Sequence, residues 1–178
     1  TFDTSGNAHR LALSGSTLYV ADGLGGVRSL NVANPASPAL AGAYATAGSA
    51  RAVLATGSSA VVLDSDEGVQ IVTTNAAATL TGAEPGVSAG LALAGTSGAV
   101  IASDANGGLF RVTTSDPAAP AISVSARLLA AGQALVVSPS ALYVAAGAAG
   151  LLSADPATLA VLATNAVDGE AADAALSG

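Results

Sequence analysis

Apolar runs of a few residues alternate with turn signals along this chain. Residues 19–38 read YVADGLGGVRSLNVANPASP: an apolar run, an acidic glycine turn, a second apolar run and an asparagine–proline turn. Because aspartate bonds to its own backbone and glycine tolerates positive φ, the DG pair is typical of a tight turn. Proline cannot donate to a strand ladder, so the NP pair ends the second strand. The pattern predicts short antiparallel strands joined by hairpins.

The same unit recurs along the chain with a nearly constant period. The glycine that follows the acidic turn recurs at intervals of 42, 40 and 42 residues, at Gly26, Gly68, Gly108 and Gly150. Four residues before these glycines stand Asp22, Asp64, Asp104 and Ala146. A second marker closes the first apolar run of each unit, at Gly15, Gly57, Gly95, Pro139 and Gly178. A third is the turn at residues 34–35, 75–76, 116–117 and 155–156.

Each unit contains enough apolar runs for four short strands. In the first unit these are HRLALSG, with His9, Leu11 and Leu13 on one face, then TLYVA, GVRSLNV and ALAGAYAT. Four strands in about 40–45 residues is the size of a β-propeller blade. A β-solenoid or an array of sandwiches is the alternative, although solenoid coils are nearer 20–30 residues.

We therefore predict an all-β fold, a β-propeller of four-stranded antiparallel blades. About four complete blades are expected, at residues 8–46, 50–82, 88–125 and 131–165. Residues 1–7 resemble the outer strand of a preceding blade, and residues 170–178 resemble the first strand of a following blade. Since a blade cannot bury both faces alone, we expect a longer parent chain or a protein partner. The alternative is a compact ring of four blades with ragged closure.

The composition is compatible with thin stacked sheets. Apolar residues make up 51% of the 178 residues and aromatic residues only 3%, so burial must come from many close-packed layers. The net charge is −7, and the only basic residues besides one histidine are five arginines, so we expect no nucleic-acid partner. The absence of cysteine excludes a disulfide framework but does not identify the redox compartment.

Residues 128–152 carry no charge and are long enough to cross a bilayer. Against a membrane span stand Gln133, the serines that flank Pro139, and three glycines within the stretch. The stretch also keeps the phase of the repeats, and strands buried on both faces are continuously apolar. We therefore expect stacked strands here and no membrane insertion.

The run AHRLALSGSTLYVADGLGGVRSLNVANPASPALAGAY resembles the blades of the LVIVD-repeat family of β-propellers. The third unit, AGLALAGTSGAVIASDANGGLFRVTTSDPAAP, is similar as well. The second unit departs at TTNAAATL, which lacks the turn prolines, and the fourth departs at Ala146. The resemblance implies a propeller fold and a bacterial surface or secreted protein, and it implies no shared catalytic residues.

Two sets of residues are candidates for binding on one rim of the blades. The acidic turns place Asp22, Asp64, Asp66 and Asp104 there, and several oxygen donors could hold Ca²⁺. The alternative is that each aspartate caps its own turn. His9, Arg51 and Gln133 occupy corresponding positions in three units and are the candidate ligand-binding residues of the same rim.

The sequence contains no complete catalytic constellation. One histidine cannot build a multi-histidine zinc site. One serine, in GVSAG at residues 86–90, fits the Gly-x-Ser-x-Gly spacing, but a nucleophile elbow needs a strand–turn–helix context that an all-β repeat does not supply. We therefore predict no catalytic residues, no cofactor apart from a possible Ca²⁺, and a non-enzymatic scaffold or interaction module of a larger bacterial extracellular or cell-surface protein. The alternatives are an enzyme whose site is completed by blades outside this chain and a Ca²⁺-stabilised adhesion domain.

Overall fold

A computed structural model describes residues 2–56, 59–73, 79–87 and 89–176. The described residues form sixteen β-strands and no helix. The strands make four separate sheets of four, and within each sheet consecutive strands pair antiparallel. Each sheet is one blade, and the predicted all-β fold of four-stranded antiparallel blades is confirmed. The repeat markers Gly57, Gly178 and residues 75–76 lie outside the described residues.

The chain divides into two compact units, which we describe separately. Unit 1 comprises Thr1–Ser88 and Pro117–Ala119, and unit 2 comprises Ala89–Asp116 and Pro120–Gly178. Unit 1 contains blade 1, with β1 Arg10–Ser14, β2 Thr17–Ala21, β3 Val27–Asn31 and β4 Ala39–Tyr44. It also contains blade 2, with β5 Ala50–Thr56, β6 Ser59–Asp64, β7 Gly68–Thr73 and β8 Thr79–Glu84.

Unit 2 contains the other two sheets. Blade 3 consists of β9 Gly90–Thr96, β10 Ala99–Asp104, β11 Gly108–Thr113 and β12 Ala121–Arg127. Blade 4 has the shortest strands, β13 Ala134–Val137, β14 Leu142–Ala145, β15 Leu151–Ala154 and β16 Val161–Asn165. The charge-free stretch at residues 128–152 thus forms β13, β14 and the start of β15. Among the described residues there is no helix long and apolar enough to span a membrane.

Within each unit the core lies between two blades. In unit 1, Tyr19, Ala21 and Val27 of blade 1 share a buried cluster with side chains of blade 2 such as Ala50 and Val53. In unit 2 the corresponding cluster joins blade 3 to blade 4 and contains Ala92, Ala94, Ile101, Leu109, Leu135, Val144 and Leu152. Alanines stand among larger side chains such as Tyr19 and Ile101 in these clusters, so small and large residues share the packing between the sheets.

The third strand of every blade shifts register against the fourth at the same place. The shift falls between Ser29 and Leu30, Ile71 and Val72, Arg111 and Val112, and Ser153 and Ala154. A β-bulge bends the strand and increases its twist. The turn signals of the sequence do not reveal this repeated bulge.

Both ends of the chain continue the repeat. Gly23, after the second strand of blade 1, bridges to Ala50 at the start of blade 2, and Gly147 bridges in the same way to Ala171. Ala171 thus pairs with Gly147, as an isolated bridge, in the way that Ala50 pairs with Gly23. At the other end, the Asn7 nitrogen donates to the backbone oxygen of Asp22 at 3.1 Å. The partial blades at residues 1–7 and 170–178 stay a prediction.

The turn glycine of blade 1 lies where two backbones nearly touch. Gly26 has a φ of 74°, and a Cβ built on it would lie 2.2 Å from the carbonyl oxygen of Tyr44. Gly68 and Gly150 have the same conformation and the same close approach to the end of the fourth strand. In blade 3 the positive φ falls on Gly107 rather than on the repeat marker Gly108.

We expect Gly26→Ala to destabilise the protein much more than Gly15→Ala. Both glycines have positive φ, which costs about 1–2 kcal/mol for alanine, but a Cβ on Gly15 would meet no atom within 4 Å. Alanine at residue 26 must also displace the fourth strand. Urea denaturation of the two variants measures the difference, and equal losses of unfolding free energy would show that the close approach to Tyr44 is unimportant.

Candidate functional site

Two of the predicted acidic residues cap their own turns. Asp64 Oδ1 accepts hydrogen bonds from the nitrogens of Asp66 and Glu67, at 2.9 and 3.0 Å. Asp104 Oδ1 accepts from the nitrogens of Asn106 and Gly108, at 2.8 and 2.7 Å. Both aspartates are buried. Each therefore satisfies backbone donors that would otherwise be left unpaired inside the turn.

Asp22 occupies the same repeat position but has different partners. Its Oδ2 accepts from the Gly6 nitrogen at 3.0 Å and from Arg28 Nε at 2.9 Å. The Arg28 guanidinium also bonds to the hydroxyl of Ser5. Burial raises the pKa of Asp22, but hydrogen bonds from Thr4, Arg28 and Gly6 outweigh it, so the pKa lies below its usual value. Asp22 thus anchors residues 4–6 to blade 1.

The cation hypothesis depends on carboxylate oxygens that remain for a ligand. Asp22 Oδ1 and Asp64 Oδ2 are buried and have no hydrogen-bond partner among the described residues. Asp66 is exposed, and its Oδ1 accepts from the Ser65 hydroxyl at 3.0 Å. Within the part of the chain that the structure describes, no group of three or more histidine, aspartate or glutamate side chains is placed to hold a metal ion. The Ca²⁺ ligands stay a prediction, and the turn contacts favour the structural role.

Gln70 explains why Asp64 differs from Asp22. Gln70 pairs with Val62 as Arg28 pairs with Val20, so the two residues hold equivalent positions. Gln70 Nε2 donates to Glu67 Oε2 within the turn of blade 2. The ion pair of blade 1 is therefore replaced in blade 2 by hydrogen bonds inside one turn.

His9 and Gln133 directly precede the first strands β1 and β13 of their blades, and Arg51 lies within the first strand β5 of blade 2. The His9 nitrogen donates to the Ala21 oxygen at 2.8 Å, and the Gln133 nitrogen donates to the Ala145 oxygen at 2.8 Å. Arg51 and Gln133 are exposed and His9 is half-buried. His9 and Arg51 belong to unit 1 and Gln133 to unit 2. Their role in ligand binding stays a prediction.

One feature of blade 1 was not predicted from the sequence: its first strand exposes leucine. Leu11 pairs with Val20, and the equivalent pairs are Val53 with Val62, Leu93 with Ala102 and Leu135 with Val144. Leu11 is 62% exposed, whereas Val53, Leu93 and Leu135 are 4%, 9% and 9% exposed. Leu13, on the same face, is 64% exposed. A position that is buried in three blades is thus open in blade 1.

A second feature that the sequence analysis missed is a cleft inside unit 2. It has a volume of about 530 Å³ and lies at the end of blades 3 and 4 away from the Asp104 turn. Its polar lining includes Thr96, Ser97, Arg111 and Ser138. The signal in the sequence was Arg111, because the corresponding positions of the other units are Ser29, Ile71 and Ser153. We call this pocket the Arg111 cleft.

Comparison with known proteins supports the fold. Residues 5–46 match the family model described as LVIVD repeat, and the match covers blade 1 with the segment before it. No curated protein matches the chain. The structure is similar to that of BamB from Moraxella catarrhalis, with a TM-score of 0.73, 18% identity, and coverage of 93% of this chain and 52% of that one.

Two further solved structures have the same architecture. The Pan2 WD40 domain from Neurospora crassa has a TM-score of 0.75 and 13% identity, and the match covers 93% of this chain and 52% of that one. The computationally designed Ika4 protein has a TM-score of 0.71 and 12% identity, with coverage of 86% and 93%. WD40 repeats are propeller blades. The fold is therefore a β-propeller, and the chain spans about half the length of BamB and of the Pan2 domain.

We expect the ion pair of Asp22 to make stability depend on acidic pH. Because the folded pKa lies below the ordinary 3.8, the contribution of Asp22 is fully present above that pH and is lost as the pH falls through the folded pKa. Asp22→Asn should cost about 1.5–3 kcal/mol at pH 7 and should flatten the pH dependence below pH 4. Thermal unfolding between pH 2 and 7 measures both effects.

The matched control is Asp66→Asn, at an exposed aspartate of the neighbouring blade. This substitution should change the unfolding free energy by less than about 0.5 kcal/mol. If the two variants behaved alike, the contacts of Asp22 with Arg28 and Gly6 would not contribute to stability.

Proposed function

We propose that this chain, which carries an LVIVD repeat and folds into propeller blades, is a non-enzymatic scaffold within a larger bacterial extracellular or cell-surface protein. Its partner is a further four-stranded blade of that longer protein, which packs on the exposed face of blade 1. The resemblance to LVIVD propellers supports the location. The repeated aspartates support a non-catalytic role, since in blades 2 and 3 they cap turns.

The observation that carries this proposal is the exposure of Leu11. Within unit 1, Val53 takes the equivalent position in blade 2 and packs in one cluster with Tyr19, Ala21 and Val27 of blade 1. Within unit 2, Leu135 packs with Ala92 and Ile101 of blade 3. The side chain at this position therefore contacts the blade that precedes it in sequence. Leu11 is 62% exposed, so within the described part of unit 1 no blade covers this side chain.

The interface between blades 1 and 2 indicates which side chains a preceding blade would present to Leu11. The face of blade 1 that meets blade 2 presents one tyrosine ring beside alanine and valine, at residues 19, 21 and 27. A preceding blade with a similar arrangement of one ring and small apolar side chains would cover Leu11 and Leu13. Full burial of one leucine side chain contributes roughly 1.5–3 kcal/mol. The match to about half of each longer natural propeller chain is compatible with additional blades.

The test compares Leu11→Ala in this 178-residue chain and in the longer protein that contains it. In the chain alone the substitution should change the unfolding free energy by less than about 1 kcal/mol, because most of the side chain is in water. In the longer protein it should cost about 2–5 kcal/mol, the usual loss for a buried leucine. Chemical denaturation measures both values.

Leu135→Ala is the control, because Leu135 holds the equivalent position and is buried within unit 2. It should cost about 2–5 kcal/mol in both proteins. A small effect of Leu11→Ala in the longer protein would contradict the docking of a blade at this face. A longer protein in which no further blade packs on the face of blade 1 that carries Leu11 would contradict it as well.

A further inference from the structure

The Arg111 cleft lies where three turns of unit 2 meet. The β9–β10 turn contributes Ser97, the β13–β14 turn contributes Ser138 and Pro139, and the β15–β16 turn contributes Pro156. Arg111 enters the cleft from β11. The volume of about 530 Å³ is within the range of about 300–1,000 Å³ that ligand pockets usually have. The cleft is therefore large enough for a few side chains of a bound molecule.

Arg111 stands at a position that does not carry a charge in the other blades. It pairs with Ile101 as Ile71 pairs with Val61 and Ser29 pairs with Tyr19, so the three residues hold equivalent places on the third strand. Ile71 and Ser29 are buried, and Arg111 is half-buried. Desolvating a guanidinium costs free energy, and the fold of a blade does not require a cation here, as the other blades show.

The hydrogen bonds around the cleft fix its polar groups in place. Arg111 Nη1 donates to the Ser123 hydroxyl at 3.2 Å. This bond uses one of the five N–H donors of the guanidinium. The Thr96 hydroxyl donates to the Ala99 oxygen at 3.0 Å. The Ser138 hydroxyl donates to the Ala141 oxygen at 3.2 Å and accepts from the Ala141 nitrogen at 3.0 Å. The hydroxyls are thus held by their own turns beside the cation.

The remaining wall of the cleft is apolar and stiff. Val137, Pro139 and Pro156 line it. Proline has a fixed φ and no backbone N–H. These turns therefore lose little conformational entropy when a ligand binds to their apolar surface. The Thr96 and Ser138 hydroxyls already donate their protons to backbone oxygens, so the guanidinium of Arg111 is the donor for an anion. A guanidinium beside an apolar wall suits a carboxylate attached next to an apolar group.

We propose that the Arg111 cleft binds an extended peptide segment of a partner protein that presents a glutamate or aspartate beside an apolar side chain. Arg111 takes the carboxylate through charge-assisted hydrogen bonds. The apolar side chain lies against Val137 and the two prolines. This binding is independent of the blade-docking face in unit 1, since all residues that line the cleft belong to unit 2.

The experiment is an NMR titration of the ¹⁵N-labelled chain with two capped tetrapeptides, Ala-Leu-Glu-Ala and Ala-Leu-Gln-Ala. We expect the glutamate peptide to shift amide signals of Thr96, Ser97 and Ser138 and to bind roughly tenfold or more tightly than the glutamine peptide. Added sodium chloride should weaken the binding of the glutamate peptide and leave the binding of the glutamine peptide unchanged, since salt screens only the contact between charges.

Arg111→Gln should abolish the preference for the glutamate peptide. Arg111→Lys should retain a reduced preference, because lysine keeps the positive charge but lacks the paired N–H donors with which a guanidinium binds both oxygens of a carboxylate. The matched control is Arg127→Gln, an exposed arginine of the neighbouring strand β12 that does not line the cleft. This control should preserve the preference. Well-dispersed NMR spectra establish that each variant is folded. If Arg111→Gln does not fold, the test uses Arg111→Lys instead.

Three results would overturn the proposal. The first is equal affinity of the two peptides for the wild-type chain. The second is an equal loss of glutamate preference in the Arg127 and Arg111 variants, which would indicate attraction by any surface arginine. The third is the absence of signal changes at the cleft at about 10 mM peptide, which would place binding beyond the millimolar range.

Discussion

The structure depends on face-to-face packing of thin sheets through very small side chains. Ala21 and Ala50 in unit 1, and Ala102 and Ala145 in unit 2, are completely buried. The small side chain of alanine lets the backbones of two packed sheets lie close together. A neighbouring leucine or valine then fills the space that remains between the sheets. With only five aromatic residues in the chain, no single large anchor can replace this close fit. Each blade is therefore stable only when another sheet covers its faces.

Because the blades share this packing, a position that differs from its equivalents in the other blades is informative about function. A residue type that recurs at one position in several blades is explained by the fold, as Asp64 and Asp104 are by the turns that they cap. A residue that differs in kind or in burial from its equivalents is not explained in this way. Leu11 differs in burial from Val53, Leu93 and Leu135, and Arg111 differs in charge from Ser29 and Ile71. These two positions therefore carry the functional hypotheses, whereas the hydrogen bonds of Asp64 and Asp104 stay within their own turns.

Asp22 shows that one repeat position can serve two purposes. Its equivalents bond inside their own turns, but Asp22 accepts hydrogen bonds from Gly6 and Arg28 and so connects the preceding segment to blade 1. One part of the difference is that blade 2 has Gln70 where blade 1 has Arg28. The matched family repeat begins at residue 5 and so includes part of this segment. The segment is thus a structural part of the repeat.

The sequence by itself determined the period, the all-β class and the order of strands in each blade. These follow from local rules: Asp-Gly and Asn-Pro turns interrupt apolar runs, and such signals act over a few neighbouring residues. The repeated bulge, with Ser29 and Leu30 as one example, was not predictable because it arises from the twist of paired strands. The partners of Asp22 were also hidden, since Gly6 lies sixteen residues away in sequence.

Only the tertiary structure decided which of the equivalent positions are covered. Leu11 and Leu135 are the same residue in the same local pattern, yet one is exposed and the other is buried. Burial depends on a neighbouring sheet that contributes no signal to the local sequence. For the same reason the Arg111 cleft could not be foreseen, because its walls come from turns that lie up to sixty residues apart along the chain.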